Sequence, residues 1–317
     1  TLFHLVFLNF MKPSFTDEGW NSLIIQYMTL TESRANSPEQ NFSDLVKELL
    51  YGDNIRRKNM STEIIGEMKQ DVSEDIYRER FADAGDFTFV FVGSFDTDEL
   101  KELAERYIAV LPSAGQREEA RYVGSGFPRG ITEGAVRAGI DPKSRVFMAF
   151  GGQTSFSDGL EYERFDALIS LMNIRLREVI REDMGGTYGV QVYGSLSGYP
   201  DQRFSVMIEF GCEPGREDSL SEAILSEIAS FRNTPVAGSY MTKLSESFRR
   251  TQEEGLKNNQ SWLQKIVNFT IQGRPLASIP DTKAVLALFT PQSLQAAAGR
   301  YLSTDNYVRA YLMPAEQ

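Results

Sequence analysis

The first part of this chain matches its last part at a fixed offset of about 220 residues. Trp20 falls opposite Tyr240, Phe42 opposite Trp262 and Thr62 opposite Thr282. The match then runs without a gap: Ser73 meets Ser293, Arg80 meets Arg300, Phe81 meets Tyr301, and Phe87 and Phe91 meet Tyr307 and Tyr311. Residue class is kept better than identity, so this is a diverged duplication. A period this long is no solenoid and calls for two copies of a whole domain. Thr1 aligns with Ser221, and residues 133–220 of the second copy have no counterpart in the first. The expectation is a first domain truncated at its N-terminus, in a chain that is part of a larger protein.

The local patterns divide the chain accordingly. Helical spacing runs through 1–11, 16–35, 38–50 and 62–81, the last with a break near Asp71. FTFVFV at 87–92 is a short continuous apolar run and predicts a buried strand. Asp96, with Glu99 three residues on, predicts a capped helix whose stripe is Leu100, Leu103, Ala104, Tyr107, Ile108 and Leu111. The stretch 113–130 carries glycines, prolines and charges without a sustained period and reads as a boundary. Strands are predicted at 145–150, 188–195, 203–210 and 307–312. The third alternates with Phe204, Val206, Ile208 and Phe210 on one face. Long helices are predicted at 160–182, 215–233, 237–272 and 290–302, the first ended by Gly185 and Gly186. Strands and helices mix without a strict βαβ rhythm, so the fold class is α+β. The domain reading is a truncated repeat at 1–118, a linker at 119–132 and a complete domain at 133–317.

Several chemistries are disfavoured by what the chain lacks. A net charge of −11 opposes binding to nucleic acid, whose phosphates attract a basic surface. No apolar run approaches the roughly 20 residues of a membrane-spanning helix. His4 and Cys212 are the only residues of their kind, so the chain cannot supply an imidazole-based zinc site, and none of its residues is assigned to a cofactor. His4 sits in an apolar helical stretch and reads as a packed residue. GSLSG at 194–198 has the wrong spacing for a hydrolase elbow, and Gly151-Gly152 and Gly185-Gly186 match no phosphate loop. No calcium-loop pattern occurs, and the N-x-Ser/Thr triplets at Asn41, Asn59, Asn259 and Asn268 read as polar surface.

One stretch offers chemistry. REVIREDMGGTYGVQVY at 177–193 places Arg181 at the end of a long helix and Tyr188 at the start of a strand, joined by a glycine turn. A guanidinium and a phenol brought to one sheet edge can donate hydrogen bonds to a peptide carbonyl or a developing oxyanion. A plainly structural reading stands beside it. Cations complement the dipole at helix C-termini, and tyrosines are common in strands.

Three stretches carry a resemblance to a known family: YRERFADAGDFTFVFVGSFDTDELKELAERYIAVLP at 77–112, LREVIREDMGGTYGVQV at 176–192 and EEGLKNNQSWLQKI at 253–266. The chain resembles the C-terminal half of a pitrilysin/insulinase-type zinc metallopeptidase of the bacterial long-chain kind. The resemblance implies four homologous α+β domains in two halves that close around a peptide. This chain would be most of the third domain and all of the fourth, with mixed, mainly antiparallel sheets flanked by helices. The family's inverted H-x-x-E-H zinc motif belongs to the other half, and this sequence does not contain it. The resemblance also implies that Arg181 and Tyr188 match an Arg and a Tyr, seven residues apart, that reach the scissile carbonyl. Gly185-Gly186-Thr187 departs from the family, which often has a bulkier residue there. The implied partners are a peptide or unfolded polypeptide substrate and the N-terminal half of the same protein. The resemblance to bacterial members suggests the periplasm. Two alternatives remain beside the enzyme half: an inactive scaffold, and a peptide-binding subunit of the same fold.

Overall fold

In the computed structural model the described residues are 1–317 other than 35, 36, 116, 117, 125, 158, 184, 186, 316 and 317. The side chains of Arg181, Glu182, Asp183 and Tyr188 also lie outside the description. The chain divides into two compact units that are not continuous in sequence: Thr1–Ala35, Met60–Ala120 and Asn259–Gln264 form one, and Asn36–Asn59, Arg121–Asn258 and Lys265–Gln317 the other.

The first unit holds α1 (Leu2–Met11), α2 (Asp17–Arg34), α4 (Thr62–Glu67), α5 (Gln70–Arg80) and α6 (Thr97–Tyr107). The cap expected on α6 is present: Asp96 Oδ1 accepts from the amides of Asp98 and Glu99 at 2.9 and 3.0 Å. The break expected near Asp71 lies slightly earlier, at Met68 and Lys69 between α4 and α5. Aromatic side chains supply much of the packing. Phe10 meets Phe81 and Phe87 edge-on at 5.0 and 4.9 Å, and Phe3 stacks on Phe91 at 5.1 Å. His4 is exposed rather than packed in a core, with its ring 6.0 Å from that of Tyr107.

The strand predicted at 87–92 is not formed; the segment runs without regular structure, and the first unit has no strand among the described residues. An apolar run specifies burial, but a strand also needs neighbours to take its N–H and C=O groups. In the second unit the matching residues, 307–313, are paired on both sides. Amides at 87–92 are therefore expected to exchange hydrogen much faster than those at 204–210. Equal protection of the two segments in a dilute monomer would show that the first unit is self-sufficient.

The second unit is built on a mixed five-stranded sheet of order β1-β5-β2-β4-β3. Its strands are β1 (Ile131–Arg137), β2 (Ser144–Gln153), β3 (Thr187–Ser197), β4 (Arg203–Cys212) and β5 (Tyr307–Met313). All neighbours are antiparallel except β1 and β5. Strand β1 was not foreseen; it begins inside the expected linker and follows a Gly/Pro-rich stretch. The helices are α3 (Pro38–Tyr51), α7 (Glu161–Leu176), α8 (Glu217–Asn233), α9 (Gly238–Gly255), α10 (Asn259–Ile271, whose first residues belong to the first unit), α11 (Thr282–Leu286) and α12 (Pro291–Tyr301). The single helix expected over 237–272 is thus two, interrupted after Gly255.

The sheet packs on both faces. Val206, Ile208 and Phe210 of β4 and Val190 and Val192 of β3 face α7, α8 and α12, where Phe165, Leu168, Met172, Leu220, Ile224 and Ala298 complete the main core. The alternation read from β4 is therefore observed. On the other face, Phe42 and Leu50 of α3 cover Phe147, Ala149, Val308, Ala310 and Leu312. Among the described residues no helix is long and apolar enough to cross a membrane.

Candidate functional site

Helix α7 is anchored at its start by a buried carboxylate. Glu161 accepts from Tyr301 Oη at 2.6 Å and from Arg300 Nη1 at 2.9 Å, and also pairs with Arg164. A negative charge in the first turn also complements the helix dipole. Along its length α7 lies close against β3. A Cβ added at Gly194 would stand 2.4 Å from Ile169 Cγ1 and 2.6 Å from Phe165 Cε1, so only glycine permits this approach.

Asn173 then joins helix to strand. Its Nδ2 donates to the Val192 carbonyl at 2.8 Å, and its Oδ1 accepts from the Val192 amide at 2.9 Å. Strand β3 is the edge of the sheet. Asn173 therefore acts there as a substitute peptide group and satisfies edge N–H and C=O groups that would otherwise be open.

The α7 helix does not simply stop. From Arg177 to Asp183 it widens into a π-helical turn, with Ile180 fully buried beneath it. Such turns are short and concentrate at functional sites. Gly185 follows with φ of +59°, a left-handed conformation suited to ending a helix without Cβ strain. Gly186, the other expected terminator, lies outside the described residues. Strand β3 then begins with an irregularity: Thr187 pairs with Cys212 and Gly189 with Gly211, leaving Tyr188 as an extra residue in a bulge. Thr187 Oγ1 pins the bulge by donating to the Gly211 carbonyl at 2.5 Å and accepting from the Gly189 amide at 3.1 Å. Bulges re-aim side chains and are over-represented next to active sites.

The backbone thus carries both predicted residues at one end of β3, Arg181 within the π turn and Tyr188 at the bulge. Their side chains lie outside the described residues.

A polar cluster beside the turn was not read from the sequence. Arg175 donates through Nε to Glu227 Oε1 at 2.9 Å and through Nη1 to Tyr240 Oη at 2.8 Å. Tyr240 Oη in turn donates to Glu178 Oε2 at 2.5 Å, and Lys243 Nζ donates to Glu178 Oε1 at 2.6 Å. The bonds from Lys243 and Tyr240 hold the Glu178 carboxyl below its usual range, while burial raises the Tyr240 phenol. Tyr240 and Lys243 stand more than 60 residues from Arg175 and Glu178, and Glu227 stands 52 from Arg175, so no local spacing could have signalled these contacts across the fold. The one visible trace was the aromatic match of Tyr240 with Trp20 across the repeat.

Among the described residues no three His, Cys, Asp or Glu side chains converge as ligands. Cys212 is fully buried on β4, and burial pushes its thiol up to about 12, so it offers no thiolate.

The sequence profile described as peptidase M16 inactive domain matches residues 68–240, a span that includes Arg181 and Tyr188. The chain is 23% identical over 250 residues to a protein described as zinc protease PQQL-like from Arabidopsis thaliana, covering 74% of this chain and 26% of that one. It is 25% identical over 174 residues to the probable zinc protease PqqL of Haemophilus influenzae, covering 53% of this chain and 18% of that one. The chain thus spans about a quarter or less of the length of either relative. Its fold is similar to that of the periplasmic protease PqqL from Escherichia coli, with a TM-score of 0.79 at 22% identity over 98% of this chain and 34% of that one. It is also similar to a peptidase M16 inactive domain from Pseudomonas fluorescens, with a TM-score of 0.75 at 17% identity over 100% of this chain and 76% of that one.

Proposed function

This chain belongs to the peptidase M16 inactive-domain family, and we propose from that premise that it serves as the non-catalytic half of a zinc-dependent endopeptidase. In this reading it forms one wall of the chamber that holds an extended or unfolded polypeptide. It presents Arg181 and Tyr188 to the scissile carbonyl. The observation that carries the proposal is the backbone between α7 and β3. A π turn, a left-handed glycine and a bulge succeed one another within a dozen residues and deliver a guanidinium-bearing and a phenol-bearing residue to one end of the sheet.

The chemistry follows from what those groups can do. Attack on a peptide carbonyl moves negative charge onto its oxygen. A phenol and a guanidinium held at fixed positions donate hydrogen bonds to that charge without reorganising, which lowers the barrier where the charge is greatest. When bound, zinc supplies Lewis-acid polarisation and an activated water. Its ligands would come from the half that bears the inverted H-x-x-E-H motif.

Two measurements test this division of labour. Untagged protein of this sequence is expected to carry far less than one zinc per chain and to leave unfolded polypeptide uncut. The full-length gene product, or this chain combined with the motif-bearing half, is expected to cleave it. One tightly held zinc per chain, or no cleavage by the combined halves, defeats the proposal.

A further inference from the structure

The cluster at Arg175, Glu178, Tyr240 and Lys243 has no direct part in the chemistry just described, yet it grips the turn that carries Arg181. Glu178 is the second residue of the π turn, and both of its carboxylate oxygens are engaged, one by Tyr240 and one by Lys243 of α9. Arg175, in the last turn of α7, reaches across to Glu227 of α8 and to the same Tyr240 hydroxyl. The Tyr240 hydroxyl therefore accepts from Arg175 and donates to Glu178, which fixes its rotor and couples the two residues. Leu176, just before the turn, and Ile180 within it are fully buried. The turn is held between an apolar anchor and a polar one.

The exposure of the cluster separates local geometry from global stability. The Lys243 side chain is 53% exposed and that of Glu178 25%. Ion pairs as accessible as this add little to folding free energy. They can still select among conformations of a π turn, a form that is rare and occurs mostly as a single turn. We infer that Tyr240 and Glu178, with Lys243 and Arg175, form a clamp that orients the π-helical turn, and are positioning residues for Arg181 and, further along the chain, for Tyr188. The inference rests on the proposed role of those two residues.

The test uses the full-length gene product, with Tyr240→Phe as the main variant and Lys243→Ala as a milder one. Tyr240→Phe keeps the ring and deletes only the hydroxyl at the centre of the clamp. Displacements of about 1 Å remote from the reacting atoms can cost about a hundredfold in rate. The expected result is a loss in kcat of tenfold to about a hundredfold, a nearly unchanged KM, and faster amide exchange confined to residues 177–183. Protection in β4 should stay as in the wild type, and Lys243→Ala should shift both readouts in the same direction by less. Unchanged exchange at 177–183 overturns the clamp. So does exchange that rises equally in β4, because the cluster would then be an ordinary stability element. Wild-type kcat in Tyr240→Phe, alongside impaired Arg181→Lys, overturns the positioning role. If Arg181→Lys and Tyr188→Phe are themselves wild type, the functional proposal fails instead, and amide exchange alone then judges the clamp.

Discussion

Tyr188→Phe in the full-length gene product is expected to lower kcat by about 10²–10³-fold while KM changes little, the loss found when one oxyanion donor is removed. The motivation is the placement of Tyr188 as the extra residue of a bulge at the start of β3. Its hydroxyl would meet full negative charge only in the transition state, so its removal should spare substrate binding. Arg181→Lys should also be poorly tolerated, because an ammonium does not reproduce the planar fork of a guanidinium. The two substitutions should not be additive if both donors serve one oxygen. Steady-state kinetics on an unfolded polypeptide decide the matter. Wild-type values in both variants would return Arg181 to helix-end electrostatics and Tyr188 to strand packing.

The second large effect concerns the scaffold. Phe165→Ala is expected to destabilise the second unit by about 3–5 kcal/mol, the usual cost of deleting a buried aromatic ring. Phe165 is fully buried, meets Tyr301 edge-on at 4.9 Å and lies against Gly194 of β3. Its removal would open a void at the point where α7 approaches the strand most closely. The neighbours that could fill it are constrained, Tyr301 by its bond to Glu161 and Gly194 by its lack of a side chain. Because the chain has two units, a single unfolding transition is a poor measure. Amide exchange within β4 under native conditions reads the stability of the second unit directly. A loss below about 1.5 kcal/mol, the range of a volume-conserving core swap, would mean that α7 and β3 are held together by something else.

Much of this architecture was legible because it repeats or alternates. The stripe through Phe165, Leu168, Ile169, Met172, Leu176, Val179 and Ile180 reads as a helix face since one side of α7 and of the turn that continues it meets the core and the other does not. The alternation of β4 is equally plain for the same reason. Strand β1 escaped because it is a half-buried edge strand with Glu133, Gly134 and Arg137 among its residues, so neither its composition nor a clean apolar face marks it. The run at 87–92 misled in the opposite direction: its apolar side chains are largely sheltered, but no strand lies beside it among the described residues. Of the site, the spacing of Arg181 and Tyr188 was visible, whereas the π turn and the bulge were not. Both are responses of the backbone to packing on either side, at Ile180 and at the Thr187 hydroxyl, and have no local residue signature. The Glu178–Tyr240 contact joins segments that only the tertiary fold brings together.

The cover on the sheet of the second unit has a consequence for how the chain could be divided. Helix α3 lies in the first of the two segments that match at the offset noted in the sequence, yet it packs on β1 and β5 of the second unit, where Phe42 and Leu50 shield Phe147, Val308 and Ala310. At the same offset of about 220 residues, α3 corresponds to α10, whose first residues belong to the first unit. The compact units therefore do not follow the two segments that match at this offset: α3 condenses with the second unit, and the first residues of α10 with the first. Cutting the chain between α6 and β1 would strip one face of that sheet bare rather than release a finished module.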